Sequence, residues 1–480
     1  MRPRLCVADT EAGPHHFFLP LFLSHTTSYS SKPSKVSTNI YAKPIKKKHF
    51  SSKANFGIKF ALFLCSKVKS YQIHFNLYFI ERKLFIMVSY VLATEEQREL
   101  AETARKIVEK SLASQLEALE AADNGLGIYP MDVHQELVDA GYFAMYIPEK
   151  WGGLGLDPIT QTIIMEEIGK VDAGFAFAFA GSGSYFDRIE MTSMPDEEKQ
   201  MWADKILAGT IGAYGLTEPN AGSDAAAMRT TAVFDEKTNE WILNGTKCFC
   251  SNAPRAEYFI VFAWTDKTKR ASQGVTAFFI EKERGVKIGK KENKLGIHLS
   301  ETSDIILDDV RVPADHVVGE VGKGFGYALG GIKTASALVN CAPVLGQAQA
   351  ALDFATEYAK TRRQFGKRII DHQAVGFMIA DMNMRIRSAR AMLYEFLQCE
   401  VQGVDSQKLD LMIKPYITDQ AMWVCNTAMQ VLGGYGYMKE YPIERYCRNS
   451  RIFQIFGGTN QIKRKNLAKA IAGKDPEAKK

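Results

Sequence analysis

From Thr94 to about Gly209, apolar residues recur every three to four positions with acidic and basic residues between them. This spacing predicts helices with one buried face, most regularly over Gln97 to Glu117 and Met131 to Gly141. Thr94-Glu95-Glu96-Gln97 places a hydroxyl at a cap and a Gln three positions on, which predicts a helix start. Loops rich in Gly and Pro, such as Pro148 to Pro158, punctuate the pattern. From Ile211 to Pro313 the texture changes to short β-branched and aromatic runs: Thr230 to Phe234, Glu240 to Asn244 before Gly245, Tyr258 to Ala263, Gly274 to Glu281 and Ile305 to Val312. These predict strands. After Gly322-Lys323-Gly324 long helical runs return, Ala337 to Arg363, Gln373 to Val401 and Ser406 to Leu432, long enough to pack antiparallel as a bundle. The order is helices, strands, helices, with no repeat of fixed period. The expected class is α+β, with an N-terminal helical domain over 87–210, a β domain over 211–318 and a C-terminal helical domain over 319–480.

A chain of 480 residues, 46% hydrophobic and 24% charged, has room for two or three packed domains. Its formal charge of +6 invites an anionic partner, but the charge is unevenly spread. Residues 1–86 hold 14 of the 60 basic and 3 of the 54 acidic residues, leaving 46 against 51 in the rest. The body is mildly acidic, so no nucleic-acid partner is expected. The segment 1–86 reads as a non-globular leader. Scarce acid and abundant Ser fit a transit peptide, although Arg2, Arg4 and Arg82 are its only arginines. The alternative is a true start at Met87. The first reading implies a mitochondrial or other organellar protein, the second a cytoplasmic one. The apolar stretches Phe17 to Leu23 and Phe60 to Cys65 are too short to span a bilayer, so no stable membrane insertion is expected. Eight cysteines without a CxxC pair or a partnering His suit reduced, buried thiols, and no metal is expected.

Tyr214-Gly215-Leu216-Thr217-Glu218-Pro219-Asn220-Ala221-Gly222-Ser223-Asp224 opens the β region. By composition it is either a capped structural loop or a loop whose hydroxyls and backbone donors hold a polar ring edge or a phosphate. Taken whole, it resembles the signature of acyl-CoA dehydrogenases. Further matches follow in order: Leu243-Asn244-Gly245-Thr246-Lys247, Leu295-Gly296-Ile297, Asp308-Asp309-Val310-Arg311-Val312-Pro313, Arg362-Arg363-Gln364-Phe365-Gly366-Lys367, Gly433-Gly434-Tyr435-Gly436-Tyr437 and Gly458-Thr459-Asn460-Gln461-Ile462. The resemblance spans roughly Thr94 to Ile471. It implies the family's fold: helical domain, central β-sandwich or barrel domain and C-terminal four-helix bundle. FAD would lie between the last two and against a neighbouring subunit of a homotetramer, a dimer of dimers.

Position by position, the resemblance assigns Leu216, Thr217 and Ser223 to the flavin and its phosphates, with Ser223 also near the thioester substrate. Phe249 stands where the family often has a Trp against the isoalloxazine, and Ser251 where a Thr hydroxyl faces flavin N5. Each substitution keeps the needed group, an aromatic face and a hydroxyl donor. Arg362, Phe365 and Gln373 match positions that reach the diphosphate and adenine across the dimer interface. A guanidinium suits a diphosphate, though an Arg at a helix end is also an ordinary surface charge. Gly433, Gly434 and Gly436 fit a turn passing close to the cofactor. Thr459 and Gln461 complete the FAD site by resemblance, or cap the helix that follows.

The pattern breaks at the catalytic acid. Dehydrogenation of an acyl-CoA removes an α-proton while a β-hydride passes to the flavin, and a carboxylate normally takes the proton. In most of the family that Glu precedes the Gly-Thr of the last motif, where this chain has Gly457. Some relatives carry it instead on the first long C-terminal helix, followed by Arg. Counting back from the matched Arg-x-x-Phe-Gly puts that pair on Ser336 and Ala337, in Lys333-Thr334-Ala335-Ser336-Ala337. Both positions are vacant, although the backbone N–H of Gly457 remains to polarise a thioester oxygen. Asp187, in Gly183-Ser184-Tyr185-Phe186-Asp187-Arg188, is the candidate base, because that stretch lines the deep end of the family's acyl pocket. Its alternative is an exposed salt bridge with Arg188; Glu190 and Tyr185 are weaker candidates. The resemblance implies an acyl-CoA dehydrogenase or enoyl-CoA reductase exchanging electrons with an electron-transferring flavoprotein, with an alicyclic, aryl or branched acyl group suiting a relocated base. Flavin-assisted elimination, as in a desulfinase, and a non-catalytic flavin-bearing subunit are the alternatives.

Overall fold

Thr94 starts the first helix as its motif requires: its Oγ1 accepts from Gln97 N at 3.2 Å and Gln97 Oε1 accepts from Thr94 N at 3.0 Å. The computed structural model describes residues 93–330 and 336–473. The leader 1–86, Met87, Cys6, Cys65 and Lys333-Thr334-Ala335 lie outside the described residues.

Helix α1 (Glu95–Leu112) buries Ala101, Ala104, Val108 and Leu112, one stripe at helical spacing. The helix predicted to run to Glu117 is interrupted after Leu112, and a second, α2 (Leu116–Gly125), restarts beyond Gln115. The apolar period survives the break, so periodicity alone reads across it. Next come α3 (Met131–Asp139), α4 (Pro158–Gly169), α5 (Ala173–Gly183), the short α6 (Phe186–Glu190) and α7 (Asp196–Leu207). Asp157 caps α4, accepting from Ile159 N at 2.9 Å and Thr160 N at 3.1 Å, with Pro158 at the first helical position. Nearly every residue of α4 and α5 is buried, so both are enclosed all round.

Eight strands form one sheet: β1 (Gly212–Gly215), β2 (Thr231–Asp235), β3 (Glu240–Ser251), β4 (Tyr258–Trp264), β5 (Val275–Glu281), β6 (Lys287–Lys291), β7 (Thr302–Pro313) and β8 (Val317–Val318). Their order is β6-β7-β3-β2-β4-β5-β8, with β1 parallel to β4. β4 is apolar throughout because both its faces are covered: Phe259, Val261 and Ala263 join a core within the sheet, while Tyr258, Ile260 and Phe262 join the helical core. Trp202 of α7 packs on Tyr258 at 5.5 Å and Phe279 at 5.0 Å between ring centroids. Two predictions need correction. β3 continues through Gly245, where a Cβ would lie 2.3 Å from Thr230 Oγ1, so this glycine admits a close approach instead of ending the strand. β6 was not predicted because Lys-Ile-Gly-Lys-Lys hides the alternation; lysines suit its place at the sheet edge.

The C-terminal region holds α8 (Gly324–Gly330), a π-helical turn (Ser336–Cys341), α9 (Ala342–Thr361), the hairpin β9 (Arg363–Gln364) and β10 (Lys367–Arg368), α10 (Gln373–Gln402), α11 (Gln407–Leu432), α12 (Ile443–Phe453) and α13 (Asn460–Ala472). The run predicted as one helix from Ala337 to Arg363 thus changes winding before Pro343, whose missing N–H breaks the ladder. α9 crosses α4 at backbone contact: a Cβ on Gly346 would lie 1.9 Å from Glu166 O, and one on Gly169 2.4 Å from Pro343 O. Arg390 of α10 pairs with the buried Glu166 at 2.5 Å across the same joint. Among the described residues no helix is long and apolar enough to cross a membrane, and no cluster of three metal-ligating side chains occurs.

Candidate functional site

The loop after β1 is held by one buried carboxylate. Glu218 accepts from Arg229 N at 2.6 Å, Thr230 N at 3.0 Å, Thr230 Oγ1 at 2.5 Å and the buried Lys247 Nζ at 2.6 Å. Lys247 Nζ also donates to Leu216 O at 3.3 Å, and Cys248 N to Thr217 O at 2.8 Å. The backbone of Leu216 and Thr217 is thereby fixed to β3, with both side chains half-buried and Ser223 exposed. Glu218 was not among the expected site residues. Its signal was a carboxylate inside the loop motif with a lysine in the next motif, which sequence alone cannot pair.

Further along β3, the register against β7 shifts between Lys247 and Cys250. Within that bulge Phe249 takes φ 58° and stands 65% exposed, between two buried cysteines. A left-handed aromatic residue is rare and strained, and bulges of this kind re-aim side chains beside functional sites. Half-buried Ser251 ends the strand. Asn252 then ties the strand end to α5, donating to Ala178 O at 2.9 Å and Ser182 Oγ at 2.8 Å.

In the helical region, Arg362, Gly433 and Gly434 share a cavity of about 540 Å³ with Tyr358, Gln364 and Tyr435. The Arg362 guanidinium lies 5.9 Å from the Tyr435 ring centroid. Gly433 takes φ 62°, and a Cβ at Gly433 or Gly434 would meet nothing within 4 Å, whereas one at Gly436 would lie 2.6 Å from Met429 O. The first two therefore leave open surface and the third serves packing. Phe365 and Gly366, both at positive φ, turn the β9–β10 hairpin and leave Phe365 95% exposed, its ring contact being with His372 beside the exposed Gln373. Thr459 Oγ1 accepts from Ile462 N at 3.2 Å, capping α13, and Gln461 is exposed on its first turn.

The two vacant acid positions are occupied differently. Gly457 and Gly458 both have positive φ, and buried Lys414 Nζ donates to Gly458 O at 2.7 Å and Asn460 Oδ1 at 3.2 Å. Burial lowers the Lys414 ammonium to about 8. Phe456, just before them, packs with its ring tilted against Phe177 of α5, 4.4 Å between centroids. A Cβ on Gly457 would lie 3.0 Å from both Nδ2 and Oδ1 of Asn340, so the space beside it is already filled. Ser336 Oγ accepts from Lys463 Nζ at 3.2 Å, which also pairs with Asp410 at 3.0 Å. Ala337 is fully buried, where an Arg without a carboxylate at 336 would be a buried unpaired cation.

Asp187 is not the fully exposed surface pair that its alternative reading describes. Its partner Arg188, at 3.4 Å, is buried, and Asp187 Oδ1 has neither solvent contact nor a hydrogen-bond partner among the described residues, while the side chain as a whole is 42% exposed. One carboxylate edge is closed in and the other is reachable. Burial raises this carboxyl to about 6 against the opposing pull of Arg188. Neighbouring Tyr185 stacks on Tyr214 at 5.9 Å, and burial drives its phenol upward. Glu190 has structural work: it accepts from Trp151 Nε1 at 3.2 Å and pairs with Lys150 at 2.5 Å, and although burial pushes it up, these bonds hold its carboxyl low. α5 links these parts, touching Phe456 through Phe177 and Asn252 through Ala178 and Ser182 before the chain turns to Tyr185 and Asp187.

Three family profiles match in sequence: "Acyl-CoA dehydrogenase, N-terminal domain" over residues 94–210, "middle domain" over 213–310 and "C-terminal domain" over 322–472. The short-chain-specific acyl-CoA dehydrogenase of Megasphaera elsdenii is 38% identical over 375 residues, 77% of this chain and 96% of the relative. The caffeyl-CoA reductase-Etf complex subunit CarC of Acetobacterium woodii is 36% identical over 77% of this chain and 96% of its own. The structure of butyryl-CoA dehydrogenase from Megasphaera elsdenii superposes with a TM-score of 0.73 at 36% identity, covering 79% of this chain and 99% of that one. Members of this family bind FAD. The residues present fit a flavin dinucleotide. An aromatic face is held out of β3 by a strained bulge beside the Ser251 hydroxyl, and a glycine turn free of steric obstruction lies beside a guanidinium that can meet a diphosphate.

Proposed function

The chain belongs to the acyl-CoA dehydrogenase family, FAD-dependent oxidoreductases acting on CH–CH bonds, and from that membership we propose that it interconverts an acyl-CoA and its α,β-unsaturated thioester, with Asp187 moving the proton. The observation that carries this reading is the Asp187 carboxylate, with one oxygen closed from water and unpartnered and its titration raised to about 6. A carboxylate so placed can accept a proton near neutral pH and, once protonated, return it. FAD, when bound, supplies the acceptor or donor of the hydride. The chain supplies the rest: Leu216, Thr217, Phe249 and Ser251 form the flavin-facing wall, with Arg362, Gly433, Gly434, Thr459 and Gln461 on the helical side, and Gly457 offers its N–H to the thioester oxygen. Ser223 stands at the entrance for phosphate and thioester.

From Phe177, which touches the Gly457 loop, to Gly183 the chain rises six residue steps along α5, about 9 Å of helix. An acyl group bridging Gly457 and Asp187 must extend along that length. This favours a long, alicyclic, aryl or branched group over the shortest acids. The exposed Phe365 and Gln373 suit a neighbouring copy of the chain, the dimer of dimers expected of the family, and an electron-transferring flavoprotein is the proposed redox partner. Anaerobic flavin bleaching by a panel of aliphatic, aryl and alicyclic acyl-CoA thioesters tests the function. Bleaching by none in either direction overturns it, and equal rates in the parent and Asp187→Asn remove Asp187 as the base.

A further inference from the structure

The position vacated by the usual glutamate is not empty space. Asn340, on the π-helical turn Ser336–Cys341, is 8% exposed and presents both polar atoms of its carboxamide at 3.0 Å from where a Cβ on Gly457 would stand. No hydrogen bond from the described residues reaches that carboxamide, and its polar atoms are not among those closed from water, so a bound group can reach them. The scaffold on both sides is pinned: Lys414 holds Gly458 and Asn460, and Lys463 holds Ser336. Phe456 and Phe177 form an apolar wall beside it. Single π turns recur at functional sites because the inserted residue turns a side chain out of the regular helical register.

We propose that Asn340 is a specificity-determining residue that hydrogen-bonds an uncharged polar substituent of the acyl group, a hydroxyl close to the thioester. This rests on the reading that a CoA thioester lies against Gly457. A carboxamide both donates and accepts, as a hydroxyl does, and it carries no charge with which to hold a carboxylate. A site built to bond a hydroxyl disfavours the analogue lacking it, because its own buried polar atoms are then left unpaired.

The test measures dissociation constants for the FAD-loaded enzyme by titration calorimetry, using octanoyl-CoA analogues with a non-cleavable thioether linkage, long enough to run along α5. The panel contains the unsubstituted chain and its 2-, 3- and 4-hydroxy derivatives. The parent enzyme binds one hydroxylated member about 10- to 100-fold more tightly than the plain chain. Asn340→Leu, nearly isosteric, abolishes that preference and strengthens binding of the plain chain, while Asn340→Ser retains part of it. If the parent binds the plain chain as tightly as every hydroxylated one, or if Asn340→Leu keeps the parent's preference, the proposal fails. Absence of binding by any member in the parent overturns instead the reading of a CoA-thioester site on which the proposal stands.

Discussion

The site has two walls, and they are built on opposite principles. The sheet wall hides the charge that anchors it: Glu218 and Lys247 are buried behind the loop, and the site residues expected on this wall, Leu216, Thr217, Ser223, Phe249 and Ser251, are uncharged. The helical wall does the reverse. At the two positions where the family resemblance expects a carboxylate stand Gly457 and Ser336, a lysine bonds the segment at each, and the group beside Gly457 is the uncharged Asn340. The comparison teaches that the cofactor side follows the family's motifs residue by residue, while on the function proposed here the proton is handled by residues outside those motifs. One missing carboxylate would leave a hole; here the hole is filled, and an acid with a raised pKa stands at the far end of α5.

The largest expected effect breaks or confirms this division directly. Asp187→Asn lowers the rate of flavin bleaching by the best acyl-CoA about 100- to 10,000-fold in anaerobic stopped-flow, the usual contribution of a positioned general base. Next, Lys247→Met leaves Glu218 buried without its cation and costs about 3–5 kcal/mol in urea unfolding, because the sheet wall depends on that pair. Gly457→Glu in the Asp187→Asn background does not restore bleaching, and it lowers the folding free energy by about 1–3 kcal/mol. Its side chain would start against Asn340 at a backbone φ of 60°. Recovery of bleaching in that double variant would mean that the helical wall lacks a carboxylate and nothing more. Thr459→Ala removes the cap of α13 at the edge of the same wall, with a loss of about 1 kcal/mol read by thermal unfolding. The smallest effect concerns pH. The Asp187 carboxyl is raised from 3.8 to about 6, so its stabilising contribution is complete below 3.8 and lost as pH rises through about 6. The melting-temperature difference between Asp187→Asn and the parent should therefore shift in favour of the variant from pH 4 to pH 7.

Much of this was legible in the chain. The Thr94–Gln97 capping box is local, four residues deciding their own hydrogen bonds, and it forms as read. The long helix after Gly403 and the apolar β4 were likewise visible, because their patterns are long and undiluted. What was not legible depended on partners distant in sequence. Glu218 and Lys247 are 29 residues apart and meet only because β3 runs behind the loop. The interruption after Leu112 and the change of winding before Pro343 fall inside unbroken apolar periods, where hydrophobic spacing has no signal for a change of backbone geometry.

By itself, then, the sequence determined the order of helices and strands, the family motifs and the absence of Glu at 457 and 336, since these are statements about residue types and their spacing. Only the tertiary structure decided that Asn340 fills the place beside Gly457, that Lys463 reaches Ser336, and that one oxygen of Asp187 is shut away from water. Each of those is a matter of desolvation and of contact between segments far apart in the chain, and burial is a property that no residue has until the others close around it.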